Sequence, residues 1–193
     1  MDIYQQLKGV VGQELGKLYL TKVRGLEIIA EEVTVPGLES RQAKLDAVVR
    51  EGETYRPVEM KLQRADLPSF GVAFNHVVTN LAEGAQVSAR PSENQEVLLT
   101  RPILLLWWPP ARSVVNDAAT MDMYRRAQVE AVQFGAALAD LGQVLGAPDA
   151  ARRQIATAIG QLTTTFLETH PLVLDGTVAR RWDSFLAALY QQQ

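Results

Sequence analysis

The sequence predicts an α/β protein with a mixed central sheet and a helical C-terminal extension. Three observations carry this. A helix-periodic opening is followed by three β-rich runs separated by glycine and proline. A continuous apolar run, PILLLWW, is bounded by prolines. From Val114 onward the apolar spacing is helical throughout.

In residues 2–24, Ile3, Leu7, Val10, Val11, Leu15 and Leu18 recur at three- and four-residue steps, and Gly25 suits a helix stop. LEIIAEEVTVPG (26–37) is β-rich and ends on a Pro-Gly turn signal. QAKLDAVVRE (42–51) and YRPVEMKL (55–62) form a hairpin about Gly52 and Glu53, with glycine at the first central position as a type II′ turn prefers. Residues 66–87 return to helical spacing through Phe70, Ala73, Phe74, Val77 and Leu81, with Asp66 as N-cap and Pro68 in the first turn. After a polar loop, residues 102–108 have the continuous apolar character of a strand buried on both faces. Helices are expected over roughly 116–145, 149–169 and 175–190. These patterns divide the chain into a core over 1–110 and a helical extension over 111–193, packed on the core or forming a dimer interface.

Composition narrows the chemistry. The 193 residues are 47% hydrophobic and 21% charged, the balance of a chain that buries a core. Without cysteine there is no disulfide scaffold, thiolate zinc site or cysteine nucleophile. With only two histidines, His76 and His170, a bound metal would rest mainly on oxygen, which favours magnesium, manganese or calcium. No apolar run approaches bilayer length and the N-terminus lacks a signal-peptide pattern, so a soluble cytoplasmic protein is expected. A net charge of −3 argues against indiscriminate nucleic-acid binding but permits a locally basic groove.

The hairpin holds the chemical signal. Across a turn at Gly52-Glu53, the numbers of opposed residues sum to 105, which sets Asp46 opposite Glu59 with Lys61 on the same face. Opposed carboxylates repel in a merely structural hairpin, and a divalent cation between them reverses the sign. A lysine alongside can orient water or stabilise developing negative charge. Carboxylates, hard metal and lysine together fit metal-assisted phosphodiester hydrolysis. The bland alternative is a solvated hairpin face on which Lys61 merely offsets the acids.

Asp46, a spacer of twelve residues, then Glu59-Met60-Lys61 resembles the motif of the PD-(D/E)xK nuclease superfamily. The element order is also similar to that superfamily's restriction-endonuclease-like αβββαβ core. The resemblance covers about residues 1–110. It implies a magnesium- or manganese-dependent nuclease acting on nucleic acid, DNA being favoured. It also implies that Asp46, Glu59 and a backbone carbonyl near Met60 hold the metal, and that Lys61 acts on the attacking water. Glu14, an acidic residue in the stripe of the first helix, would be an outer ligand. Gln63 resembles the polar residue that RecB-like nucleases carry after the motif. Leu45 stands where the motif has proline, and the cysteines of the iron–sulfur branches are absent. A catalytically inactive member of the fold, binding nucleic acid or a protein, is the alternative.

Local positive charge for a polyanion is expected from Lys17, Lys22 and Arg24 at the end of the first helix, and from the pair Arg125 and Arg126. Arginine pairs of this kind also occur on ordinary solvated helix faces. Trp107 and Trp108 could stack on bases, although within this apolar run they also suit the core.

Overall fold

The structure, a computed structural model, describes residues 12–38, 43–61, 71–106 and 117–133. Residues 12–18 are helical and continue into a π-helical segment, Tyr19–Val23; together they form helix α1. Gly25, at φ 64, ends it, and the Leu26 N–H closes back on the Leu20 carbonyl at 2.9 Å. Strand β1 (Glu27–Thr34) leads into a Val35-Pro36-Gly37-Leu38 turn. Proline at its second position and Gly37 at φ 86 in its third give the type II pattern.

Strands β2 (Lys44–Glu51) and β3 (Thr54–Lys61) are the expected hairpin. Their register runs from Glu51 opposite Thr54 to Ala47 opposite Val58, so the pairs do sum to 105. Gly52 has φ 60 while Glu53 keeps a negative φ, as type II′ requires. Helix α2 (Val72–Ala82) ends in a Schellman motif: Gly84 at φ 79, Ala85 N–H on the Asn80 carbonyl and Gly84 N–H on that of Leu81. The helix is shorter than the expected 66–87, and Gly71 rather than Asp66 takes its N-cap position; Asp66 and Pro68 themselves lie outside the described residues.

Two expectations change here. The polar stretch after α2 is not a loop but a hairpin, β4 (Ser88–Ser92) and β5 (Gln95–Leu98). Its exposed, charged side chains hide the alternation on which a strand reading relies. The helix expected to run to residue 145 is interrupted. After β6 (Ile103–Leu106), helix α3 covers only Ala118–Arg126, and β7 (Glu130–Gln133) follows. Asp117 caps α3, accepting from the Ala119 N–H at 3.1 Å and the Thr120 hydroxyl at 2.6 Å. A second Schellman closure ends it, with Val129 N–H on the Tyr124 carbonyl and Gln128 at φ 56. Because glutamine rather than glycine takes that left-handed position, the usual sequence signal for a stop is missing.

All seven strands form one mixed sheet in the order β5-β4-β1-β2-β3-β6-β7. Neighbours from β5 to β3 are antiparallel, whereas β6 is parallel to β3 and β7 is parallel to β6. The sheet therefore extends beyond residue 110, through 133. The later helices expected in the extension, and any dimer surface on them, lie outside the described residues. Among the described residues no helix is long and apolar enough to cross a membrane.

Helices α2 and α3 cover one face, where Phe74, Val77, Val48, Leu104, Leu106 and Tyr124 share a core. Helix α1 lies on the other face, against Met60 and Leu105. It approaches so closely at Gly16 that a Cβ there would stand 2.5 Å from the Met60 sulfur and 3.3 Å from a Leu105 methyl.

Near the hairpin turn, Arg56 is only 2% exposed. Its guanidinium donates to the Arg101 carbonyl at 2.7 Å, to Glu51 at 2.9 Å and to Glu130 at 2.6 Å. Arg24 reaches the same Glu130, which ties the end of α1 to the start of β7. Arg56→Ala would strand the Arg101 carbonyl and leave Glu130 to Arg24 alone. A loss of about 3 kcal/mol is expected from charge-assisted bonds made in a buried setting. Thermal melting should fall by roughly 6–12 °C, and a change under 2 °C would remove this network from the stabilising contacts.

Candidate functional site

The β2–β3 ladder is paired as far as Ala47 and Val58, one residue short of Asp46 and Glu59. Beyond that point the Asp46 carboxylate, not a backbone carbonyl, accepts the Met60 N–H at 2.7 Å. A strand residue directs its N–H and C=O to the same side, so the Met60 carbonyl opens toward Asp46 as well.

The alternation of faces also slips here. Leu45 and Val48, three residues apart, both join the α2-side core, and on β1 Val33 lies in it with Ala30 packed against it. Strict alternation would put each pair on opposite faces. Between them stand Asp46 and, opposite it across an unshifted stretch of the β1–β2 register, Glu32, whose φ of 49 is left-handed; the register shift of β1 lies earlier, between Ile28 and Ala30. The slip turns Asp46 out of the core stack, where its side chain also takes a hydrogen bond from Gln13 of α1.

Glu59 does keep to the pleat. It pairs in register with Leu104, and both face α2. At 1% exposure it is the one buried carboxylate among the described residues. Its Oε1 accepts the Gly71 N–H at 2.8 Å and faces the Lys61 ammonium at 2.6 Å. Its Oε2 is buried and has no hydrogen-bond partner.

Burial, then the charge of Asp46, pushes the Glu59 carboxyl up to about 7, against the pull of Lys61 and the Gly71 amide. Burial raises Asp46 too, opposed by the Met60 amide, Lys61 and Gln13. Burial, and then the charge of Glu59, likewise raises the Tyr124 phenol of α3, so this ring also stands within electrostatic reach of the site.

Asp46, Glu59 and Lys61 are thus brought together at one end of the central strands, with the Met60 backbone between them. Glu14 is not. It pairs with Lys17, which also bonds Glu31 at 3.1 Å, and it is the neighbouring Gln13 that reaches Asp46. Among the described residues, no group of three or more His, Cys, Asp or Glu side chains could hold a metal ion. Side-chain donation to a cation at this end would come from the two acids. Gln63, Trp107 and Trp108 lie outside the described residues.

The expected phosphate-binding residues are mostly engaged. Arg24 is bonded to Glu130. Arg126 donates to Asp122 and, at 2.9 Å, to the Ala82 carbonyl that ends α2. That is the opposite end of an 11-residue helix from Gly71, roughly 16 Å away. The Arg125 side chain is 78% exposed and tied only to Asp122 within its own helix, among the contacts of the described residues. Lys22 lies in the Tyr19–Val23 segment.

No family model, curated protein or solved structure matches this chain.

Sequence reasoning missed Gln13 and Gly71. Gln13 carried no signal beyond its place beside Glu14. Gly71 had one, a glycine directly before a helical apolar pattern, where Ser, Thr, Asp or Asn more often caps.

The raised Glu59 carboxyl sets a sign for stability. The folded protein holds a proton that the unfolded chain, with an ordinary value of 4.5, releases. The Glu59 contribution to stability is therefore fully present in acid and declines as pH rises from about 4.5 through about 7. In the metal-free protein the melting temperature should fall by several degrees between pH 5 and pH 8, and Glu59→Gln should flatten this decline. An unchanged slope in that variant would mean that Glu59 ionises without cost.

Proposed function

We propose that this protein is a divalent-metal-dependent nuclease with a restriction-endonuclease-like core, hydrolysing the phosphodiester bonds of DNA. One observation carries the reading. Asp46, Glu59 and Lys61 meet where the β2–β3 ladder ends, and an oxygen of Glu59 is buried there without a partner. A structural hairpin gains nothing from this arrangement, because an unmatched buried carboxylate oxygen costs free energy. The order helix, three antiparallel strands, helix and a strand parallel to β3 supports the same reading. The β4–β5 hairpin stands as an insertion.

The residues fit a small hard cation. Asp46, Glu59 Oε2 and the Met60 carbonyl are oxygen donors of the kind that magnesium and manganese take, with waters completing their coordination. Such an ion, when bound, neutralises charge on the scissile phosphate and favours ionisation of water. The chain does the remaining work. Asp46 is held by the Met60 amide and Gln13, so its carboxylate needs little reorganisation. Lys61 spends one of its three donors on Glu59 and can direct another to the attacking water or a non-bridging phosphate oxygen. The water loses a proton to solvent and its oxygen bonds to phosphorus as the bond to the leaving sugar oxygen breaks, and that oxygen takes a proton from solvent.

A second reading has its own observation. The 2.6 Å contact of Lys61 with Glu59 offsets one acid's charge without any cation, as in a catalytically inactive module that binds nucleic acid or a protein.

The test is incubation with single-stranded, double-stranded and branched DNA and with RNA, in magnesium or manganese. Cleavage is expected, and Asp46→Ala, Glu59→Ala and Lys61→Ala should each reduce it by orders of magnitude. Calcium should permit binding but little cutting. Manganese should also raise the melting temperature by mass action. No cleavage of any substrate, together with no melting shift, would favour the second reading.

DNA affinity should fall with salt, and Arg125→Ala should reduce the slope of log affinity against log salt by about 0.9, one phosphate contact. An unaltered slope would return Arg125 to the solvated face of α3. Arg125 is the cleaner probe, since Arg126→Ala would also release the end of α2.

A further inference from the structure

We propose that Gly71 is a positioning residue for Glu59: the N-cap amide just before α2, and the empty space where a side chain would begin, hold Oε1 so that Oε2 alone is presented to a divalent cation. The inference rests on the metal-dependent reading above and deepens it.

Three observations converge on Gly71. Its N–H donates to Glu59 Oε1 at 2.8 Å. A Cβ built on it would stand 2.9 Å from both carboxylate oxygens and 3.2 Å from the carboxyl carbon. Its backbone, at φ −56 and ψ 141, is open to any residue, so conformation does not require glycine at this position. Space does. A methyl group would push against both oxygens and the carbon of the carboxylate at the end of the Glu59 side chain, and at 1% exposure Glu59 has little room to swing aside.

The contact also assigns different tasks to the two oxygens. Oε1 takes the amide at the N-terminal end of α2, where aligned peptide dipoles favour negative charge, and it takes the Lys61 ammonium as well. Oε2 takes nothing. With Oε1 held from two directions, the carboxylate cannot rotate about its last bond without losing both contacts. The oxygen left over is buried and unpartnered, in a carboxyl close enough to Asp46 to feel its charge. Outer contacts that orient a ligand in this way change metal affinity about 10- to 100-fold when removed.

The experiment uses the full chain and manganese. Calorimetric titration should show wild-type binding and a loss of at least tenfold in affinity for Gly71→Ala. The double variant Gly71→Ala with Glu59→Asp should regain part of that loss, because the shorter acid frees the room that the methyl takes. In proton–nitrogen correlation spectra of the metal-free protein, the amide signal that disappears in Gly71→Ala should shift in Glu59→Gln. Manganese should broaden that same signal in the wild type.

A purely structural glycine would lower the melting temperature of Gly71→Ala without altering manganese affinity, and that result overturns the proposal. So does an amide signal indifferent to Glu59→Gln. If the wild type itself binds no manganese while the amide still responds to Glu59→Gln, the metal-dependent reading fails and the presentation of Oε2 fails with it. Normal wild-type binding with an unaffected Gly71→Ala overturns the positioning role alone.

Discussion

The Met60 amide has its partner in the Asp46 carboxylate, and much of the site follows from that substitution. In a continuous hairpin, a backbone carbonyl of β2 would take this N–H and the two strands would remain zipped. Here a side chain takes it, so the strands stay in contact while their ladder ends. The arrangement fixes one carboxylate without a second charged partner. It also leaves the neighbouring Met60 carbonyl directed toward the same opening.

The elements around that point act as supports rather than as sources of reactive groups. Gly16 lets α1 settle onto Met60, and α1 then offers Gln13 to Asp46. From the opposite face, the N-cap of α2 brings its amide to Glu59. The two helices hold the two acids from the two sides of the sheet. Farther along β3, Arg56 is a buried cation fully engaged by Glu51, Glu130 and a carbonyl. One strand thus carries a fully engaged charge near one end and, near the other, a carboxylate with one unpartnered oxygen.

How far the sequence could be read depended on where its information lay. The register of β2 and β3 followed from Gly52 and from the alternation of the strands, because a two-residue turn allows little freedom. Strand β6 was legible from its unbroken apolar run. The β4–β5 hairpin was not, since its exposed residues, including Arg90 and Glu96, pair with one another rather than with a core. Strand β7 was hidden because Gln128 closes α3 in a conformation usually marked by glycine. In the site, residue types identified the acids and the lysine. The left-handed Glu32 opposite Asp46 could not be foreseen, because a non-glycine residue at positive φ leaves no mark in the hydrophobic period, and the helix partner of Asp46 proved to be one residue from the acid expected there.

The tightness of the Gly52-Glu53 turn has a consequence for how such a chain can vary. With a side-chain period of two, one extra residue in that loop would let both strands persist while sliding β3 against β2 by a step. The hydrophobic residues have neighbours of similar size on either side and could repack, as Val48 and Val49 illustrate. Asp46 and Glu59 have no such substitutes. Loop length, which for most surface turns is the most freely altered property of a protein, is at this position bound as closely to the site as the identity of the acids themselves.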